Sequence, residues 1–108
     1  MKFNKLFIVF FIMLFSFDMR SDTAVDFKLP NLKNEQVQFS DFLNKGPVVL
    51  DFWATWCKPC HKAFPKFNDL YEKYHEQGLE IIGINEDGPR SQAKIKPFVR
   101  SLKIKFPI

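Results

Sequence analysis

The chain is 108 residues long, 46% hydrophobic and 26% charged, with 14 phenylalanines, which suits one small globular domain and leaves no room for two. Its formal net charge of +4 loses +2 when the first 20 residues are set aside, where Lys2, Lys5 and Arg20 stand against Asp18; with no basic runs and no basic residues interleaved with exposed aromatics, nothing marks a nucleic-acid footprint. Two cysteines exclude a multi-disulfide framework, and their C-x-x-C spacing leaves redox, metal and haem-attachment readings in competition.

Lys2 and Lys5 precede an apolar run from Leu6 to Phe15 that resumes at Phe17, the shape of a secretory n-region and h-region. As a helix, Leu6 to Phe17 would reach about 18 Å at ~1.5 Å per residue, against a hydrocarbon core of about 30 Å. The segment is therefore expected to target the chain for export rather than to span a membrane. No clean small-x-small cleavage site follows, so residues 1–24 read as a signal peptide or as a retained N-terminal anchor. No cysteine follows the h-region to carry a lipid.

From Val25 the pattern becomes β-like. Val25, Phe27 and Leu29 alternate with polar residues, Pro30-Asn31 punctuates, and Val37 and Phe39 alternate again, which predicts a hairpin or two short strands. Ser40 or Asp41 is expected to cap one turn through Phe42 and Leu43, ended by Asn44-Lys45-Gly46-Pro47. Val48 to Ala54 is a nearly continuous apolar run broken only by Asp51, as in a central parallel strand covered on both faces. Phe64, Phe67, Tyr71 and Tyr74, with Leu70 beside them, form the apolar stripe of a helix. Pro65 lies inside that helix and should kink it, and Gly78 suits the residue past its end. Leu79 to Ile84 reads as a second strand, so residues 48–84 make a strand-helix-strand unit expected to be parallel and right-handed. Asp87-Gly88-Pro89 reads as a turn. Ile95, Phe98, Val99 and Leu102 carry helical spacing around Pro97, a predicted break or kink, and Ile104 to Ile108 begins a further apolar stretch.

Between the first strand and the long helix lie Trp56-Cys57-Lys58-Pro59-Cys60. A helix N-terminus offers unpaired N–H groups and the positive end of the dipole, which stabilise a thiolate. Cys57, in the first turn beside Lys58, is the candidate nucleophile, its pKa lowered as in such motifs. Cys60, three residues on and on the same helical face, can resolve a mixed disulfide. Pro59 constrains the turn between them and is tolerated in the first helical turn. An inert staple is the alternative, yet so short a loop would contribute only about 2 kcal/mol in the chain-entropy model.

A zinc site would need more ligands than Cys57, Cys60 and His61 supply, and His75, the only other histidine, would lie about 21 Å from His61 on one helix. No metal is expected. Haem is the sharper rival, because Cys57-Lys58-Pro59-Cys60-His61 is literally C-x-x-C-H. Against it stand the preceding Val48 to Ala54 strand and the proline between the cysteines; His61 reads otherwise as a solvent-facing residue of the first turn. Asp51, a carboxylate in an apolar strand, is costly unless paired or protonated, and proton transfer to Cys60 is its expected use.

Asp51-Phe52-Trp53-Ala54-Thr55-Trp56-Cys57-Lys58-Pro59-Cys60, with Pro65 downstream, closely resembles the active-site segment of thioredoxin-fold proteins. Asp26-Phe27-Lys28-Leu29-Pro30-Asn31-Leu32, Phe39-Ser40-Asp41-Phe42 and Phe106-Pro107 narrow the likeness to the TlpA/ResA-like extracytoplasmic thiol-disulfide oxidoreductases, over roughly Val25 to Ile108. By that resemblance Cys57 attacks, Cys60 resolves, the two form a redox-active disulfide, Trp53 and Trp56 flank the site, and Asp51 matches the buried acid of thioredoxin. Ala63 departs from the branch, whose members often carry a Glu there. The branch also continues past a Phe-Pro-hydrophobic strand into a helix, a cis-proline loop, a strand hairpin and a last helix, so the C-terminal half of the fold is expected to be missing. The peroxiredoxin pattern Pro-x-x-x-Thr-x-x-Cys is not shown by residues 50–57.

The expected architecture is thus an α/β, thioredoxin-like fold: an N-terminal hairpin, the βαβ unit and an insertion helix, residues 25–108 forming a partial domain behind the leader 1–24. The expected activity is disulfide exchange in the periplasm or at the outer face of the membrane, in cell redox homeostasis, with cytochrome c maturation among the settings the resemblance implies. Cys57 and Cys60 carry it, Trp53, Trp56, Lys58, Pro59 and Pro65 shape the site, and no organic cofactor is needed. Expected partners are disulfide- or dithiol-bearing proteins and an upstream redox donor, with N-terminal membrane association and no nucleic acid. The alternatives are a haem-binding module and an inactive fragment.

Overall fold

The computed structural model describes residues 23–108; the apolar run from Leu6 to Phe17 lies outside the described residues. The alternation after Val25 becomes an antiparallel hairpin of β1, Lys28–Pro30, and β2, Gln36–Gln38, in the register Leu29 to Val37. Asn31 closes the connection, its Oδ1 accepting the N–H groups of Lys33 and Glu35 at 2.8 and 3.0 Å, the local bonding that favours Asn in turns. A 3₁₀ turn, Phe39–Phe42, follows. Neither Ser40 nor Asp41 caps it, because both lie within the turn. The Ser40 N–H instead donates to Asp26 Oδ1 at 2.9 Å, which also accepts the N–H of Phe27, while Asp26 Oδ2 accepts the Gln38 side chain at 2.7 Å. Phe27 stacks on buried Phe39 at 4.8 Å and fastens the hairpin to the turn.

Strand β3, Val48–Trp53, pairs in parallel with β4, Glu80–Asn85, and helix α1, Lys58–Tyr74, joins them. Alternate side chains of a strand share a face, so Val49, Asp51 and Trp53 lie on the same side as their partners Ile81, Gly83 and Asn85. That side is the core: Trp53, Phe64, Ile81, Ile95, Val99 and Phe106 are buried together. The expectation of a strand covered on both faces is not met by the described residues, since Phe52, on the opposite face, is 54% exposed. The helical stripe is narrower than predicted. Phe64, Phe67 and Tyr71 turn inward, whereas Leu70, displaced around the helix from them, is 43% exposed.

Helix α2, Gln92–Ser101, runs unbroken through Pro97, as α1 runs through Pro65. Both prolines are exposed, so water can replace the missing N–H donor at the carbonyl four residues earlier. The chain then returns along α1, pinned by the Asn68 side chain, which donates to the Lys103 carbonyl at 3.1 Å and accepts the Lys105 N–H at 2.9 Å; Lys105 also pairs with Glu72. Phe106 enters the core among Phe64, Phe67 and Tyr71. Residues 106–108 form no strand, yet the Gly83 N–H donates to the Pro107 carbonyl at 2.8 Å. Gly83 leaves the room for this: a Cβ there would overlap the Ile108 side chain and approach Trp53 Nε1 to 3.1 Å.

At the opposite end of the sheet from the cysteines, Glu80 is 2% exposed and faces Lys45 at 3.8 Å and His75 at 3.5 Å. Gly78 closes the chain after α1 with φ +101°, and its Cα faces the Lys45 carbonyl so closely that a Cβ would collide with it. Gly78→Ala is expected to cost about 2 kcal/mol or more, from left-handed strain of ~1–2 kcal/mol plus the clash. Gly88→Ala is the contrast: its φ is −68° and nothing lies within 4 Å of the added carbon, so the change should be neutral or stabilising by less than about 1 kcal/mol. Urea unfolding of the two variants measures the difference, and equal midpoints would contradict this account of the turn.

Candidate functional site

Strand β3 ends at Trp53, whose indole packs edge-on against Phe64 at 5.3 Å and stacks on Phe98 at 5.8 Å. With Ala54 buried behind it, the chain must turn upward, and Cys57 donates its N–H to the Ala54 carbonyl at 3.1 Å. Cys57 then caps α1, with Lys58 and Pro59 as the first helical residues and no side-chain capping bond. Its sulfur therefore sits where the helix presents unpaired N–H groups and positive charge, the placement that favours a thiolate once the pair is reduced.

Cys57 and Cys60 are joined as a disulfide with Cα atoms 5.4 Å apart, within the usual span of such bonds. Both are half-buried. Cys60 packs against the core, and its Sγ lies 3.8 Å from the Phe52 carbonyl, so that the thiol formed on reduction has an acceptor in reach. Around the pair, Trp56 is 72% exposed, and Lys58 and Pro59 are exposed too. The two tryptophans thus hold different positions: Trp53 supports the turn from the core, and Trp56 stands in solvent beside Cys57. Pro65 lies two turns along α1, away from the disulfide.

Asp51 lies two residues before Trp53 on the same face. Its Oδ2 is buried without a hydrogen-bond partner, and burial raises its pKa above the ordinary value of 3.8. Desolvation of an unpaired carboxylate penalises its charge, which makes it a stronger base than an exposed one. No hydrogen bond joins Asp51 directly to Cys60 among the described residues.

His61 does not face solvent as expected. Its Nε2 lies 3.0 Å from the Ala54 carbonyl, which can only accept, so Nε2 carries the hydrogen. The ring packs near Phe64 and Phe98, with centroids 6.2 and 4.7 Å away. These aromatic neighbours draw the imidazole over the end of β3, and the same hydrogen bond occupies the nitrogen that an axial haem ligand would present. No group of three His, Cys, Asp or Glu side chains is placed to share a metal ion among the described residues.

Asp87, which the sequence pattern places only in a turn, belongs to the site. It is 8% exposed and binds Thr55, two residues before Cys57, through both carboxylate oxygens. The signal that could have found it is its place just beyond the C-terminal end of the strand beside β3, where sites gather in parallel sheets.

The AhpC/TSA family model matches residues 21–108. The thiol-disulfide oxidoreductase ResA of Bacillus thuringiensis subsp. konkukian is 42% identical over 85 residues, covering 79% of this chain and 47% of that protein. A crystal structure from Chlorobium tepidum, assigned as a thiol:disulfide interchange protein DsbE, has a TM-score of 0.71 and 34% identity over 80% of this chain and 58% of its own. Peroxidoxin BcpB of Mycobacterium tuberculosis gives a TM-score of 0.64 and 34% identity, over 80% of this chain and 55% of its own. The chain spans about half the length of the curated relatives it matches. The α/β fold is thioredoxin-like, as in these structures, and the resemblance to ResA-like proteins holds.

The unpaired Asp51 can be tested without a substrate. Because its pKa is raised on folding, the folded chain holds the proton more tightly than the unfolded one, and stability falls as pH rises through the interval from the ordinary value upward. Asp51→Asn in the oxidised protein is therefore expected to melt higher than the parent at pH 7. The gain should vanish well below the ordinary value of 3.8, where both parent states are protonated. Melting curves across that range check it, and a variant that melts lower at pH 7 would show that the carboxylate is compensated.

Proposed function

This chain belongs to the AhpC/TSA family, and from that premise we propose that it is a thiol-disulfide oxidoreductase working through Cys57 and Cys60. The observation that carries the reading is the Cys57–Cys60 disulfide at the N-terminus of α1, directly after β3. In the reduced state the Cys57 thiolate attacks one sulfur of a substrate disulfide. A Cys57–substrate bond forms and the other substrate sulfur leaves as a thiolate. Cys60, one helical turn on, then attacks the Cys57 sulfur, closing the Cys57–Cys60 disulfide and releasing the second substrate thiol. Two electrons pass to the substrate, and a dithiol donor returns them to the pair.

Asp51 serves this cycle by taking the proton of Cys60 as it attacks, through a water, and returning it when the pair is reduced. Lys58 adds positive charge beside Cys57, and exposed Trp56 offers a partner polypeptide an apolar surface beside the disulfide. The substrates are disulfide-bearing proteins, and the reaction runs in the reducing direction. The leader places the domain outside the cytoplasm, tethered where it is not cleaved. Cytochrome c maturation, in which haem-binding cysteines must be kept reduced, is a setting that fits.

The similarity to a peroxidoxin raises peroxide reduction as a second reading, but Leu50 and Ala54 occupy the places that the Pro and Thr of the peroxiredoxin pattern would take. Assays on the full chain separate the two. Insulin-disulfide reduction is expected to be accelerated over dithiothreitol alone, and Cys57→Ser to lower the rate by roughly two orders of magnitude or more, as loss of a covalent nucleophile does. Cys60→Ser should accumulate a mixed disulfide visible on a non-reducing gel. Hydrogen peroxide consumption without insulin reduction would replace this reading with the peroxidase one.

A further inference from the structure

The turn between β3 and the cysteines has its polar groups engaged from two sides. The Ala54 carbonyl accepts the Cys57 N–H and the His61 ring N–H, at 3.1 and 3.0 Å. From the other side, Asp87 Oδ2 accepts the Thr55 N–H at 2.8 Å and Oδ1 accepts the Thr55 hydroxyl at 2.7 Å. Asp87 is in turn fixed by Asn85, whose side-chain amide donates to Oδ2 at 2.7 Å and whose Oδ1 accepts the Asp87 N–H at 2.9 Å. Burial alone would raise the Asp87 pKa. The bonds from Thr55 and Asn85 and the charge of Lys94 outweigh it and hold the carboxyl below its ordinary range, so this anchor is ionised at neutral pH.

We propose that Asp87 is a positioning residue of the thiol-exchange site, holding through Thr55 the turn that sets Cys57 at the N-terminus of α1. The inference rests on the reading of Cys57 as the attacking thiol. Two effects of the carboxylate oppose each other there. As an anion it disfavours a nearby thiolate; as an anchor it favours one, by keeping the sulfur against the helix N–H groups. The charge of Asp87 is already shared among three hydrogen bonds, whereas no other side chain bonds the backbone of Thr55 among the described residues. The anchoring effect therefore wins.

The test uses the reduced full chain with Cys60→Ser, so that Cys57 is the single reporting thiol, and follows its alkylation by iodoacetamide against pH. Lys58, His61 and Asp51, the other titratable groups of the site, are the same throughout. Asp87→Asn is expected to move the alkylation midpoint upward and, with Cys60 restored, to slow insulin reduction about tenfold, a scale reached by small misplacements of a reacting group. Thr55→Val, which removes one of the two donors, should move the midpoint the same way by less, and Thr55→Ser, which keeps both, should overlay the parent. An Asp87→Asn midpoint equal to the parent's, with only a lower melting temperature, leaves Asp87 a purely structural anchor and overturns the proposal. A downward shift overturns it as well, since charge repulsion would then dominate. Should Asp87→Asn not fold, the Thr55→Val and Thr55→Ser pair decides the question in the same way: a raised midpoint in the first alone upholds the positioning role, and two midpoints at the parent's value overturn it. Alkylation needs no protein substrate, so a shifted midpoint in a chain that fails to reduce insulin removes the proposed function and upholds the positioning role.

Discussion

The parallel register of β3 and β4 is the constraint on which the site depends. Trp53 lies opposite Asn85, so the two strands end level, and the ladder continues one step further through the Glu86 N–H and the Trp53 carbonyl at 2.8 Å. Thr55 and Asp87 each lie two residues past those ends, and for that reason they meet. A parallel pair needs a long crossover, and α1, which supplies it here, begins at the cysteines. One pairing thus sets where the helix starts, what stands behind its first turn, and which loop braces it.

The core beneath converts that register into a rigid platform. Trp53 is 1% exposed and Phe64 1%, so β3 and the first turns of α1 share one aromatic contact, to which Phe98 of α2 adds a stacked face. Packing of this density holds the strand end against the helix start, and the disulfide bridges the first turn of that helix. The opposite face of the sheet is different. Phe52 is largely exposed, and at the edge of β4 an apolar groove of about 820 Å³, lined by Ile82, Gly83, Ile84, Ile95 and Ile108 among others, opens between the hairpin and α2. The end of β3 that leads to the cysteines is thus supported from the core face, through Trp53 against Phe64 and Phe98.

What the sequence made legible follows the range of the interactions involved. The β-rich run at Val48 to Ala54, the 3.6-residue recurrence of Phe64, Phe67 and Tyr71, and the C-x-x-C between them are local patterns, and each appears where the period predicts it. The positions that depart from expectation are those decided by distant neighbours. The 3₁₀ turn at Phe39 is held by Asp26, 14 residues from the Ser40 whose N–H it accepts; Thr55 and Asp87 are 32 residues apart; and His61 is drawn inward by Phe98, on another helix. Leu70 and Phe52 are apolar by type and exposed by position. No local pattern encodes these, because the partner's identity is known only once the register is.

Two aspartates of this end of the sheet have their pKa values pushed in opposite directions, Asp51 upward and Asp87 downward, and this contrast separates what each is suited to do. Asp87 is buried among donors that stabilise its charge, whereas Asp51 has an oxygen buried without a partner and a pKa raised by desolvation. Titratable groups whose environments push them apart mark a division of labour. A carboxylate satisfied by three hydrogen bonds makes a poor proton carrier, since protonation would break the bonds that hold it; it is suited to bracing a turn. A carboxyl with nothing to stabilise its charge takes up and gives back a proton without disturbing any neighbour. Under the proposed thiol exchange, which needs both a sulfur fixed at a helix start and a proton moved to and from its partner, the two tasks fall to different residues, Asp51 within β3 and Asp87 in the loop after β4.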